Sequence, residues 1–179
     1  MRGRFSPAVA VPHRPPWAVE EALFTHACTR CGACVAACPT GLLVEGTGGF
    51  PEADFQRGRC TFCADCVHAC AKNARQSASS QVSALAFSSD LQPWSLCATI
   101  DTSCLPHRGV LCRSCEDHCE ERAIRFTHRA GSPAHPEIIQ SRCTGCGECV
   151  ASCPAKAISM QPFTPSQPYP PSFQERAPL

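Results

Sequence analysis

The sequence predicts an α+β chain of two tandem modules, each folded around bound metal more than around an apolar core. Three observations carry that expectation. Cysteine makes up 17 of the 179 residues, sixteen of them fall into four runs of nearly common spacing, and the runs themselves are paired along the chain. From Cys31 to Cys63 is 32 residues and from Cys115 to Cys146 is 31, whereas Cys63 to Cys115 is 52, so the runs group two and two. The repeat extends beyond the cysteines. Pro51-Glu52 precedes Arg59-Cys60 as Pro136-Glu137 precedes Arg142-Cys143, and Leu42-Leu43, Ala74-Arg75, Ala123-Ile124 and Ala157-Ile158 lie at the fourth and fifth positions after the closing cysteines. The repeating unit is therefore a strand, a cysteine loop, a short helical turn and a strand.

Residues 1–20 contain Pro7, Pro12, Pro15 and Pro16 and predict an extended arm, with Trp17 available to anchor it. The first module is expected over 21–71. Its first run, Cys28, Cys31, Cys34 and Cys38-Pro39, is a complete C-x2-C-x2-C-x3-C-P, followed by a short apolar strand at Leu42-Leu43-Val44 and a turn at Gly46-Thr47-Gly48-Gly49. That turn has no following Lys-Ser/Thr, so it is not a phosphate loop. Cys60, Cys63, Cys66 and Cys70 repeat the spacing, with Ala71 in place of proline.

Residues 72–92 are rich in Ser, Ala and Gln and predict a connector, and 93–160 the second module, opening on a strand from Trp94 to Ile100. The third run is widened to C-x7-C-x2-C-x3-C (Cys104, Cys112, Cys115, Cys119), with Pro106 and Gly109 in the extra loop. The fourth, Cys143, Cys146, Cys149 and Cys153-Pro154, is again complete. The proline-rich stretch 161–179 predicts a disordered tail.

A run of this kind is that of bacterial ferredoxins, in which thiolates hold the iron corners of a [4Fe-4S] cube and the fourth cysteine of one run ligates the neighbouring cluster. Two bacterial-ferredoxin-like modules, each with two clusters, follow. With that exchange, Cys28, Cys31, Cys34 and Cys70 hold one cluster, and Cys60, Cys63, Cys66 and Cys38 its neighbour. In the second half, Cys104, Cys112, Cys115 and Cys153 hold one, and Cys143, Cys146, Cys149 and Cys119 the other. The widened third run leaves a three-iron centre open. Structural zinc sites draw on two separated cysteine pairs, unlike four cysteines within eleven residues, so zinc is disfavoured. Cys97 is left over and is expected to be a buried free thiol. His68 and His118, each just before a closing cysteine, are candidates to bond a cluster sulfur, with a surface position as the default. So are Arg30, Arg59, Arg113 and Arg142 for offsetting cluster charge. Modules this small lack sufficient apolar core, so the clusters are expected to staple the fold.

Disulfide frameworks belong to oxidising compartments, and residues 1–11 lack an apolar leader, so a cytoplasmic location is expected. A formal net charge of +1 without blocks of like charge offers no case for nucleic acid, and no apolar stretch reaches the length of a membrane span. Four clusters with their thiolates would bring the charge to about −7. No nucleophile, base and orienting group can be assembled, so the chain is not expected to be an enzyme.

Several stretches resemble the NapF family, ferredoxin-type accessory proteins of periplasmic nitrate reductase systems. They are Arg14-Pro15-Pro16-Trp17, Phe24-Thr25-His26 leading to Cys28-Thr29-Arg30-Cys31, Gly48-Gly49-Phe50-Pro51, Phe62-Cys63, Trp94 with Leu96, Cys104-Leu105, and Cys112-Arg113 to Cys119-Glu120 with Ala123-Ile124. The widened third run is part of the likeness. The resemblance implies a cytoplasmic protein with four [4Fe-4S] clusters that binds the catalytic subunit, NapA, before export and assists its maturation by electron transfer or cluster delivery. Two other classes remain: an electron-transfer subunit of another oxidoreductase complex, and a non-redox binding scaffold.

Overall fold

The computed structural model describes residues 12–76, 83–88, 93–127 and 134–163. Residues 1–11 of the expected arm and 164–179 of the expected tail lie outside the described residues. Helix α1 (Glu21–Ala27), not anticipated from the sequence, starts where the Glu20 carboxylate accepts the Ala22 N–H, and it buries Phe24 and Ala27. Each cysteine run then forms a loop entering a short helix: α2 (Ala33–Ala36), α3 (Asp65–Gln76), α4 (Ser114–Asp117) and α5 (Glu148–Ala151). The strands are β1 (Leu43–Glu45), β2 (Pro51–Ala53), β3 (Leu96–Ile100), β4 (Ile124–Thr127), β5 (His135–Ile138) and β6 (Ile158–Pro162).

Among the described residues the three sheets are antiparallel pairs, β1 with β2, β4 with β5, and β3 with β6. In two-stranded ribbons every strand is an edge, which is why Pro51, Pro136 and Pro162 are tolerated in them. Each half has an inner hairpin joining its two cysteine runs and an outer pairing that joins its beginning to its end. In the second half the outer pair is β3 with β6; in the first it is reduced to the bridge between Ala18 and Leu85.

Three stretches beyond the N-terminal segment differ in form from the sequence expectation. After Cys70 the repeat predicts a strand at Ala74-Arg75, but α3 runs on to Gln76. Ala71 stands where proline follows Cys38 and Cys153, so nothing breaks the helix, and Ala-Lys-Asn-Ala-Arg-Gln are mostly good helix formers. Further along the stretch expected as a connector, Ala84 and Leu85 are buried, the Val19 N–H donates to the Ala84 carbonyl, and the Ala86 N–H donates to the Trp17 carbonyl. At the other end β6 continues through Gln161 and Pro162, because Cys97 and Leu96 supply their register partners.

One apolar core spans both halves, drawing Trp17, Phe24, Leu42, Phe55 and Leu85 from the first and Leu96, Val150, Ile158 and Met160 from the second. Across the seam the Trp17 N–H donates to the Pro93 carbonyl at 2.5 Å, and the Phe55 and Trp94 rings meet edge-on at 5.4 Å. The N-terminal segment, expected as an arm, is packed from Pro15 to Trp17, and Trp17 is 5% exposed.

Candidate metal centres

The cysteine loops share a backbone signature that side-chain types do not announce. In the first, second and fourth runs the residues on either side of the second cysteine are left-handed: Arg30 and Gly32, Phe62 and Ala64, Gly145 and Gly147. Non-glycine residues enter this region at a cost of roughly 1–3 kcal/mol, and such strain persists only where the surroundings demand it. Here it turns successive N–H groups toward the thiols: the Cys28, Cys60 and Cys143 sulfurs accept from the N–H groups of Arg30, Phe62 and Gly145. The third run departs from the pattern in backbone as in spacing, with Arg113 at φ −136°.

The closing cysteines are held from the other side. The N–H groups of Ala123 and Ala157 donate to the Cys119 and Cys153 sulfurs at 3.2 and 3.3 Å, and that of Leu42 donates to Cys38. These are the fourth positions past each closing cysteine, so the sequence repeat found there is a thiolate-binding device. Gly41, Arg122 and Lys156, one residue earlier, take the positive φ that aims it. After Cys70 the helix removes this donor, and the Ser83 hydroxyl lies 3.5 Å from the Cys70 sulfur instead.

The thiols gather across runs. Cys70 lies close enough to Cys28 and Cys34 for their charges to interact, and Cys31 joins the same group. Cys38 faces Cys60 and Cys66, with Cys63 among them. Cys153 faces Cys104 and Cys115, beside Cys112, and Cys119 faces Cys146 and Cys149, beside Cys143. Among the described residues no three His, Cys, Asp or Glu side chains converge as a single metal ion needs. Four thiols drawn from two runs into each group can serve the four iron corners of an iron-sulfide cube. The donor set, all thiol with N–H groups behind it, fits such a cluster.

Burial pushes the Cys34 and Cys66 thiols up to about 12 and Cys115 to about 11, with neighbouring thiols adding to it. Bound iron must supply the positive charge that offsets this. At Cys38 burial also opposes ionisation, but bonds from Leu43, Thr40 and Leu42 outweigh it and lower the thiol. Cys97, expected as a free thiol without a role, is buried in β3 and bonds the Cys143 sulfur. That bond lowers Cys143 and pushes Cys97 upward.

His68 and His118 are both exposed, and the His118 ring lies 2.8 Å from the Ser114 carbonyl. Arg30 stacks on Phe50, Arg113 pairs with Glu116 at 2.7 Å, and Arg142 is exposed. Arg59 is different: it reaches Glu120 and Glu148, both at 2.9 Å, across the seam. Sequence reasoning passed over Thr40 and Ser83, whose hydroxyls meet Cys38 and Cys70, because neither lies within a run.

The fold and its thiol groups define a ferredoxin-type iron-sulfur protein built of two dicluster modules, and residues 27–74 and 110–167 match the 4Fe-4S dicluster domain family. The chain belongs to the NapF family of ferredoxin-type proteins. It is 37% identical over 148 residues to the ferredoxin-type protein NapF of Escherichia coli K12, covering 83% of this chain and 84% of that one. Against the ferredoxin-type protein NapF of Haemophilus influenzae the identity is 40% over 147 residues, with 82% and 77% covered. It is also 30% identical over 167 residues to the methylamine utilization ferredoxin-type protein MauM of Methylobacillus flagellatus, covering 86% of this chain and 68% of that protein. No solved structure matches the chain. As a ferredoxin-type protein it is not an enzyme, and no helix among the described residues is long and apolar enough to cross a membrane.

Proposed function

We propose that this chain is a cytoplasmic carrier of four [4Fe-4S] clusters that assists maturation of a nitrate reductase catalytic subunit, NapA, before its export, by electron transfer or cluster delivery. The observation that carries the reading is the grouping of sixteen thiols into four cross-run quartets within a NapF-family chain. Cys28, Cys31, Cys34 and Cys70 hold the first cluster, and Cys60, Cys63, Cys66 and Cys38 the second. Cys104, Cys112, Cys115 and Cys153 hold the third, and Cys143, Cys146, Cys149 and Cys119 the fourth.

When bound, such a cluster supplies reversible one-electron storage. The chain's own residues set the conditions. N–H groups from Phe62, Ala123 and Ala157 meet thiolate charge and favour the more negative, reduced state. Burial of Cys34, Cys66, Cys104, Cys115 and Cys149 keeps water from the clusters.

The test is an anaerobic pull-down of the intact chain against a cytoplasmic extract, with iron and acid-labile sulfide counted on the same preparation. About sixteen of each with unexported nitrate reductase precursor is expected. A different reductase or dehydrogenase in the eluate would replace the maturation role with an electron relay, and zinc without sulfide would overturn both.

A further inference from the structure

Two modules of two clusters each can form one electron path or two separate ones, and the seam decides which. The loop of the second quartet does not stop at the surface of its own half. The Cys60 N–H donates to the Cys146 carbonyl at 2.8 Å, so a ligand of the second quartet is joined backbone to backbone with a ligand of the fourth. Arg59, one residue before Cys60, closes the same seam. Its guanidinium pairs with Glu120, which follows the fourth quartet's Cys119, and with Glu148, between Cys146 and Cys149, each at 2.9 Å. Behind the bond, Phe55 packs on Gly147 so closely that no Cβ would fit there.

Within each half the quartets are also neighbours: α2, which carries Cys34 of the first, packs against α3, which carries Cys66 of the second, and α4, with Cys115 of the third, packs against α5, with Cys149 of the fourth. The contact between halves thus joins the second and fourth quartets, while the first and third lie beyond them. Cys31, in the first, is the one exposed thiol among the described cysteines. The third carries the widened loop, whose Leu111 is 90% exposed just before Cys112.

We propose that the four thiol quartets form a single file in the order first, second, fourth, third, crossing between halves at the Cys60–Cys146 backbone bond, with the first and third as its ends. The file order is not the chain order. In each internal step one electron leaves one site and arrives at its neighbour, and no bond is made or broken. The backbone bond and the Arg59 pairs hold the crossing at fixed separation, which a flexible connector between independent modules would not do. This inference rests on the reading that the quartets hold iron-sulfur clusters.

The test removes one end at a time from the full-length holoprotein and reads spin coupling by electron paramagnetic resonance after full reduction with dithionite or a stronger one-electron donor. Cys31→Ala removes the first site. In two independent pairs the second site is then alone and gives a narrow signal of one isolated spin. In a single file it stays coupled to the fourth, so that narrow component is missing and the spectrum remains broadened. Cys112→Ala makes the same test from the other end, and it stands by itself if Cys31→Ala does not load. As the opposite control, Cys66→Ala removes the second site and must release one isolated spin, that of the first.

With about twelve irons and equal sulfide in each variant, a broadened spectrum for Cys31→Ala or Cys112→Ala and a narrow component for Cys66→Ala is the expected result. One isolated spin in all three variants overturns the file while leaving the clusters in place. Iron without sulfide overturns the reading on which the file rests.

Discussion

Gly147, between two cysteines of the fourth run, has φ +80° and lies so close to the Phe55 ring of the other half that a Cβ would collide with it. The pair combines two demands on one residue: a left-handed backbone for the cysteine loop and no side chain for the seam. Gly147→Ala is therefore expected to destabilise the holoprotein by about 2–4 kcal/mol, from the left-handed cost and the overpacking together. Anaerobic denaturation measures it. Phe55→Ala alone leaves a cavity and costs about 3–5 kcal/mol. The double variant is expected to cost clearly less than the two added, because the clash is gone. Strict additivity would show that the two residues do not meet.

Cross-run ligation makes an unusual prediction for paired substitutions. Cys34→Ala with Cys70→Ala strikes two ligands of one quartet, although they belong to different runs, and is expected to remove about four irons. Cys34→Ala with Cys38→Ala strikes one run but two quartets, and is expected to remove about eight. Iron and sulfide counts on purified protein decide it. The reverse order of losses would mean that each run holds its own cluster.

Cys97 bonds the Cys143 sulfur from β3. A donor to a ligand sulfur stabilises the reduced, more negative cluster, so removing it lowers the reduction potential. Cys97→Ala is expected to shift one of the four titrating centres to lower potential and leave the other three in place, whereas Cys97→Ser, which keeps a donor, holds the shift small. Potentiometric titration followed by paramagnetic resonance reads each centre. Equal shifts for alanine and serine would assign Cys97 a packing role only.

The cysteine spacings made the quartets legible, because ligand chemistry imposes them directly on the sequence. Three strands were legible too: Gly46 to Gly49 marks the turn after β1, and the apolar residues after Cys38, Cys119 and Cys153 mark strands β1, β4 and β6. What the sequence hid were features imposed by tertiary neighbours. Phe62 and Ala64 have no local preference for positive φ; the loop around Cys63 puts them there. Residues 84–86 carry no strand pattern, and they are ordered by the backbone of Trp17 and Val19. Arg59 looks like any surface arginine until Glu120 and Glu148, far along the chain, are brought to it.

If the quartets hold iron-sulfur clusters as proposed, the fold is expected to depend on them. Each sheet is a ribbon of two strands, three to five residues long, and such ribbons are marginal in water unless something else buries their faces. Among the described residues, four of the five helices contain cysteines of the quartets, and three of those are single turns of four residues, too short to persist alone. Cysteines of the quartets also supply part of the shared core, Cys34, Cys66, Cys115 and Cys149 among them. Stripping iron leaves these thiols buried against one another and removes the cross-links between runs that are distant in sequence. Anaerobic chelation is therefore expected to abolish most of the far-ultraviolet circular dichroism and any cooperative thermal transition, and both should return only when iron and sulfide are supplied together. A chelated chain that kept its dichroism and melted cooperatively would show that the apolar core spanning Phe24, Leu42 and Met160 is sufficient by itself.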